Sequence, residues 1–270
     1  MPRGEIVRFV VAVPARLESS RLPGKVMEDV GGQPMLRRVL DRCALAARPA
    51  AVVLCTDSPS LIKAATGWGF PALPTSADCS SGSDRLASAL PALLELAGGE
   101  GASSLAETVI LNVQGDQPFI DPDVIDVMAT EFERTPTPEV LTPIYRLVAA
   151  KVHNPNVVKT LVAADGRALY FSRSALPHVR GVDPEYWHSC TTFWGHVGVY
   201  GYRADVLARW PSLPLSPLEH TEKLEQLRLL EAGITIDTFE VSGDFISVDT
   251  PEQLEQARAM AAEVDGSPSS

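Results

Sequence analysis

Three short, almost wholly apolar runs, each leading toward a helix-like stretch, limit the fold of this chain more than any other feature. "VRFVVAVP" (Val7 to Pro14), "AVVLCTD" (Ala51 to Asp57) and "TVILNVQGD" (Thr108 to Asp116) show no apolar/polar alternation. Continuous β-branched runs of this kind belong to strands buried on both faces of a parallel sheet. Between them, "PMLRRVLDRCALA" gathers Met35, Leu36, Val39, Leu40 and Cys43 on one helical face. "SDRLASALPALLEL" does the same with Leu86, Leu90, Leu93 and Leu94, and Pro91 is expected to kink that helix or mark its restart. Strand and helix alternating in this order predict a doubly wound α/β sheet.

After about residue 138 the pattern changes. In "VVKTLVAADGRALYFSR" two strand-like runs flank Ala164-Asp165-Gly166, a hairpin signal. "HVGVYGYR" follows, then a helix predicted from Pro217 to Ala232, the strand "ITIDTFEV", a short "ISVD" and a final helix from Pro251. No repeat and no Pro/Gly/Ser-rich linker divides the chain, so the second half is expected to extend the first sheet. The reading is one domain over residues 1–262, in two halves of about 7–138 and 139–262, with 263–270 as a flexible tail.

With 270 residues, 45% of them hydrophobic, the chain has enough apolar surface for one large core. A net charge of −11 argues against extended binding to nucleic acid or to an anionic membrane, because the overall field repels polyanions. Cys43, Cys55, Cys79 and Cys190 form no CxxC pair. Free thiols in a reducing cytoplasm are expected, without a zinc or redox motif. The one apolar run near the N-terminus is too short for a signal segment or a membrane span, which again points to the cytoplasm.

Ligands of doubly wound sheets collect at the carboxyl ends of the strands. Three polar loops fall there: "PARLESSRLPGK", "TD" and "QGDQP". The first concentrates Arg16, Arg21 and Lys25 on an acidic protein. It is not a Walker A loop, which would require glycine at position 19 and Ser or Thr at position 26, where Ser19 and Val26 stand. No GxGxxG follows the first strand, so dinucleotide chemistry loses its main support. A turn carrying three cations suits a triphosphate.

The blocks "PARLESSRLPGK", "SSGSDRLA", "NVQGDQP", "NPNVVK", "ALYFSR", "GVYGYR", "SPLEHTEKLEQLRLL" and "VDTPEQLE" resemble, in this order, the 3-deoxy-manno-octulosonate (Kdo) cytidylyltransferase family. The resemblance runs from about Val10 to Met260. It implies a Rossmann-like nucleotidyltransferase fold: a mixed, mostly parallel sheet, helices on both faces, and a smaller β-rich extension for the sugar and for homodimerisation. The implied reaction is CTP plus Kdo giving CMP-Kdo and pyrophosphate, dependent on Mg²⁺, in lipopolysaccharide precursor synthesis.

By the same resemblance Arg16, Arg21 and Lys25 hold the phosphates, Lys25 facing the departing pyrophosphate, and Asp116 and Asp249 hold the metal. An N-cap role before "TPEQLE" is the competing reading of Asp249. Pro14 and Ala15, then Ser81, Gly82, Ser83 and Arg85, then Gln114 and Gly115 complete the nucleotide site, Ser83 doubling as a possible helix cap. Gln114, Arg173, His196, Tyr200, Glu225 and Gln226 are implied for the sugar acid. His196 and Tyr200 fall on one face of a strand by alternation. The chain departs from the family pattern in three blocks: Gly195 where arginine is expected before His196, Ser83-Asp84 where the family has Thr-Glu, and Gln117 in place of glutamate. The first lies in the sugar region and leaves a related acid, an amino-substituted Kdo or a nonulosonate, as the alternative.

Overall fold

The structure, a computed structural model, describes residues 7–18, 22–98, 104–134, 137–243 and 245–265. Arg21 and the end of the expected tail lie outside the described residues.

Among the described residues, ten strands form one mixed sheet: β1 (Arg8–Pro14), β2 (Ala51–Thr56), β3 (Ala72–Pro74), β4 (Thr108–Val113), β5 (Val140–Arg146), β6 (Lys159–Val162), β7 (Ala168–Ser172), β8 (Trp194–His196), β9 (Val199–Arg203) and β10 (Ile236–Glu240). The parallel block runs β3-β2-β1-β4. Its helices are α1 (Met35–Cys43), α2 (Pro59–Gly67), α3 (Gly82–Leu96), α4 (Ser104–Glu107) and α5 (Pro122–Phe132). The second half adds α6 (Ala149–Val152), α7 (Ala204–Arg209), α8 (Pro217–Glu222), α9 (Leu227–Glu231) and α10 (Pro251–Asp265).

Burial on both faces explains the unbroken apolar runs. Val11 and Val13 of β1 pack with Leu36 and Leu40 of α1 and Ile125 and Phe132 of α5. Val10 and Ala12, pointing the other way, pack with Leu86, Leu90 and Leu93 of α3 and with Trp210. Each such aliphatic side chain contributes about 1.5–3 kcal/mol when withdrawn from water.

The join between the two halves prepares the site. β8 and β9 are separated only by Val197 and Gly198, and both lie antiparallel on β5. On their other edge the partner changes: β9 pairs with β4, whereas β8 pairs with β6. The sheet therefore splits just beyond Val113, at the carboxyl end of β4, and β6, β7 and β8 form the extension. β10 adds in parallel to β5.

Several local expectations are corrected. Of the two outcomes expected at Pro91, a kink or a restart, the restart is excluded, because α3 runs through it as one helix. The helix expected over 217–232 is two, because Lys223 takes a left-handed conformation (φ 55°) that ends α8. Leu224, Gln226, Leu227 and Leu229 are all buried, a wider arc than one face of a surface helix presents. "ISVD" forms no strand. The final helix continues to Asp265, past the expected start of the tail.

Candidate active site

The basic loop returns to the sheet at Lys25, whose ammonium is largely buried against two carboxylates. Nζ lies 2.6 Å from Asp116 Oδ2 and 2.8 Å from Asp249 Oδ1, and also donates to Val248 O at 3.0 Å. Burial alone would lower the Lys25 pKa; the charges of Asp116 and Asp249 outweigh it and hold the pKa above the usual lysine value. The Val248 N–H donates to Asp116 O (2.9 Å), which sews the 246–249 segment to the end of β4. That bond brings together two aspartates far apart in sequence.

Asp249 does not cap α10. Thr250 does: its Oγ1 accepts from Gln253 N (3.3 Å), while Gln253 Oε1 accepts from Asp249 N (2.8 Å) and Thr250 N (3.0 Å). Thr-Pro-Glu-Gln is thus a capping box with proline at the first helical position. The carboxylate of Asp249 meets Lys25 in the site instead. Asp116 Oδ1 is buried without a hydrogen-bond partner. Two hard carboxylate donors, one with an orphaned oxygen, fit a small divalent cation that completes its shell with water and phosphate oxygens. No group of three or more His, Cys, Asp or Glu suited to a metal occurs among the described residues.

A cavity of 240 Å³ is lined by Pro14, Ala15, Arg16, Lys25, Ser81, Gly82, Arg85, Gln114, Gly115, Asp116 and Asp249. Arg16 is exposed at its rim. Ser81, rather than Ser83, caps α3, accepting from Asp84 N at 3.1 Å. Ser83 is fully buried and its hydroxyl meets Tyr202 Oη at 3.0 Å, so it can offer this cavity no side chain. Arg85 is also buried, held by Thr75, by Ser76 O (3.4 Å) and by Asp57 Oδ1 (3.3 Å). Asp57 is thus a strand-end partner for Arg85. A Cβ at Gly82 would stand 2.9 Å from Gln114 Nε2 and 3.2 Å from Pro14 Cγ. Glycine there lets the start of α3 approach the ends of β1 and β4.

The second cavity, of 1660 Å³, meets the first at Ser81, Gly82, Gln114, Asp116 and Asp249. It opens where the sheet splits, and Arg173, His196, Tyr200, Glu225 and Gln226 all line it. The rings of His196 and Tyr200 lie 5.2 Å apart, on one face as alternation predicts. His196 Nε2 is 3.1 Å from Thr142 Oγ1, and burial lowers its pKa to about 3, so the ring is neutral. Thr142 donates its one proton to Val199 O (2.7 Å), which makes Nε2 the protonated nitrogen and Nδ1 the acceptor. Burial raises the Glu225 pKa against the opposing bonds from Ser81 and Ser83. Burial, with Tyr202 and Glu225 adding to it, raises that of Tyr200, which remains a donor. Tyr200 Oη, Gln226 Nε2 and Gln117 Oε1 are buried and unpartnered. Polar atoms in that state are rare in folded proteins unless ordered water or a ligand completes them.

Gly195 is closed over rather than vacant: a Cβ there would lie 2.6 Å from both Tyr145 Cζ and Leu147 Cδ2. The arginine expected from the family pattern could enter only if both moved. Sequence reasoning missed Gln117 and Tyr145 as cavity residues, and Lys159 and Glu222 as supports behind Arg173. A lysine opening an apolar strand within "NPNVVK" was the available signal.

A mixed sheet split at the end of its fourth strand, a basic loop at the first, and paired aspartates between two adjoining cavities define a nucleotidyltransferase. Residues 10–236 match the cytidylyltransferase family model. The chain is 39% identical to the 3-deoxy-manno-octulosonate cytidylyltransferase of Chlorobium limicola, covering 93% of this chain and 96% of that one. It is 38% identical to that of Escherichia coli, over 95% and 97%. It belongs to the 3-deoxy-manno-octulosonate cytidylyltransferase family. Among solved structures, CMP:2-keto-3-deoxy-manno-octonic acid synthetase complexed with CTP superposes with a TM-score of 0.83 at 37% identity, covering 95% of this chain and 99% of that one. A cytidylyltransferase from Leptospira borgpetersenii shares the fold alone, at TM-score 0.58 and 16% identity, covering 97% of this chain and 89% of that one.

Proposed function

We infer that this enzyme transfers the cytidylyl group of CTP to a hydroxyl of Kdo, giving CMP-Kdo and pyrophosphate for lipopolysaccharide precursor synthesis. One observation carries the reading: two cavities of different chemistry adjoin at Asp116, Asp249 and Gln114, as attack of one substrate on another requires. The smaller, edged by cations, takes the triphosphate; the larger, rich in unpartnered donors and acceptors, takes the polyhydroxyl acid.

Bringing a triphosphate to a carboxylated sugar requires charge neutralisation before the atoms meet. Arg16, Arg21 and Lys25 supply it from the protein, Lys25 stabilising charge on the leaving pyrophosphate. Asp116 and Asp249 would hold Mg²⁺, which when bound neutralises triphosphate oxygens. Pro14, Ala15, Ser81 and Gly82 form the wall for the nucleotide, with Gln114 and Gly115 opposite, and Arg85 braces it from behind. Arg173 faces the sugar carboxylate. His196 accepts a sugar hydroxyl at Nδ1, Tyr200 and Gln226 donate, and Glu225 accepts.

We read the protein as a single domain acting as a cytoplasmic homodimer, in which pairing through the extension would cover the exposed Leu169 and Tyr186. No helix of the described residues is long and apolar enough to cross a membrane.

Pyrophosphate release, measured with CTP, Mg²⁺ and a panel of sugar acids, tests the assignment. Kdo is expected to turn over fastest. Preference for an amino-substituted Kdo or a nonulosonate would move the enzyme to the alternative substrate, and release with none of them would overturn the reading.

A further inference from the structure

Lys159 opens β6 and is fully buried, although lysine ammonium groups almost always reach water. Each of its three donors meets a main-chain carbonyl: Asn154 O at 2.8 Å, Val157 O at 2.6 Å and Arg173 O at 2.6 Å. These are clasp contacts, joining the 154–157 loop to the residue that follows β7. Arg173 is gripped from the other side as well. Its N–H donates to Glu222 Oε2 (3.0 Å), its Nε to Glu222 O (2.9 Å) and its Nη1 to Pro155 O (3.2 Å), so the loop that Lys159 holds also aims the guanidinium. Asn154, Asn156, Val157 and Arg173 all line the large cavity.

We propose that Lys159 is a positioning residue of the sugar-acid subsite, its ammonium clasping the 154–157 loop to Arg173 so that the guanidinium faces the carboxylate of the incoming sugar. The proposal rests on the assignment of the large cavity to the sugar acid. No uncharged side chain offers three donors from one atom, so the clasp depends on the proton.

That proton is labile. Burial, and secondarily the Arg173 charge, lower the Lys159 pKa to about 8, with Glu222 opposing them. His196 on β8 is neutral, its pKa held near 3 by burial, and Tyr170 on β7 is raised above its usual value, so neither adds charge there at neutral pH. Above about pH 8 a carbonyl loses its donor and faces a lone pair. The carboxylate of the sugar, like carboxyl groups in general, is ionised throughout this range.

Steady-state kinetics with Kdo and CTP as separately varied substrates test the clasp. For the parent enzyme, the KM for Kdo is expected to rise above about pH 8 while that for CTP stays level. At about pH 7, Lys159→Met is expected to raise the KM for Kdo about tenfold, move that for CTP less than about twofold, and lack the alkaline rise. A Kdo KM unchanged in the variant, an equal rise for both substrates, or a parent profile flat to about pH 9.5 would overturn the proposal. Should Lys159→Met fail to fold, the parent profile decides alone. If the parent turns over no sugar acid, the substrate reading has failed instead, and amide exchange of residues 156–158 and 173 in the free protein judges the clasp. Faster exchange on raising the pH beyond the intrinsic base-catalysed increase supports it; the intrinsic increase alone refutes it.

Discussion

Lys25 Nζ stands 2.8 Å from Asp249 Oδ1 across 224 positions of sequence, and the same nitrogen lies 2.6 Å from Asp116 Oδ2. One ammonium thus bridges both aspartates at the point where the two cavities meet. It is an N–H donor and a positive charge placed beside the metal-fitting carboxylates, on the lining of the smaller cavity. Because the aspartates keep it protonated across the neutral range, its charge is available without adjustment at the moment of reaction.

Lys25→Ala should therefore lower turnover at saturating CTP by roughly 10²–10³, the loss expected for one preorganised charge-stabilising donor. It also leaves two carboxylates facing each other without their counter-charge. A metal-free thermal melt should show a lower Tm, and Mg²⁺ should raise the Tm of the variant more than that of the parent. Unchanged turnover would sink the catalytic role of Lys25.

Asp249→Asn and Asp116→Asn should each fold with a Tm close to the parent, lose most activity and require much more Mg²⁺ to recover any, because a neutral amide binds a hard dication weakly. Thr250→Ala is the control. It removes the cap and should cost about 1 kcal/mol of stability, seen as a lower Tm, while leaving the Mg²⁺ requirement near that of the parent. Near-parental activity of Asp249→Asn at low Mg²⁺ would refute the two-carboxylate site.

His196 makes stability depend on pH. Unfolded, its imidazole binds a proton near pH 6.5; folded, burial postpones this to about 3. Between those values the unfolded state holds more protons, so stability rises with pH across the window. The contribution is complete above about pH 6.5 and is lost as the pH falls toward 3. His196→Gln, neutral throughout, should show a smaller drop in Tm than the parent between about pH 7 and pH 4.5. Equal drops would mean that the buried ring does not set this limb.

The sequence alone located β1, β2 and β4 and the helices α1 and α3 between them, because runs such as "VRFVVAVP" and "TVILNVQGD" bury both faces and leave little else for them to be, whereas β3, α2, α4 and α5 went unread. It also located the loops that carry Arg16, Lys25 and Asp116, since those loops follow the strands directly. Tertiary structure decided what those residues touch. Whether Asp249 or Thr250 caps α10 turned on one position in a Asp-Thr-Pro run where both side chains are good caps, and the answer came from Gln253 and from Val248 docking on Asp116. The break at Lys223, the change of partner at Val197–Gly198 and the three carbonyls around Lys159 leave no periodic trace. Hydrophobic periodicity is a local property, legible over a few turns of chain. The cavities are made by contacts between segments tens to hundreds of residues apart, and their geometry exists only once the sheet has fixed its register.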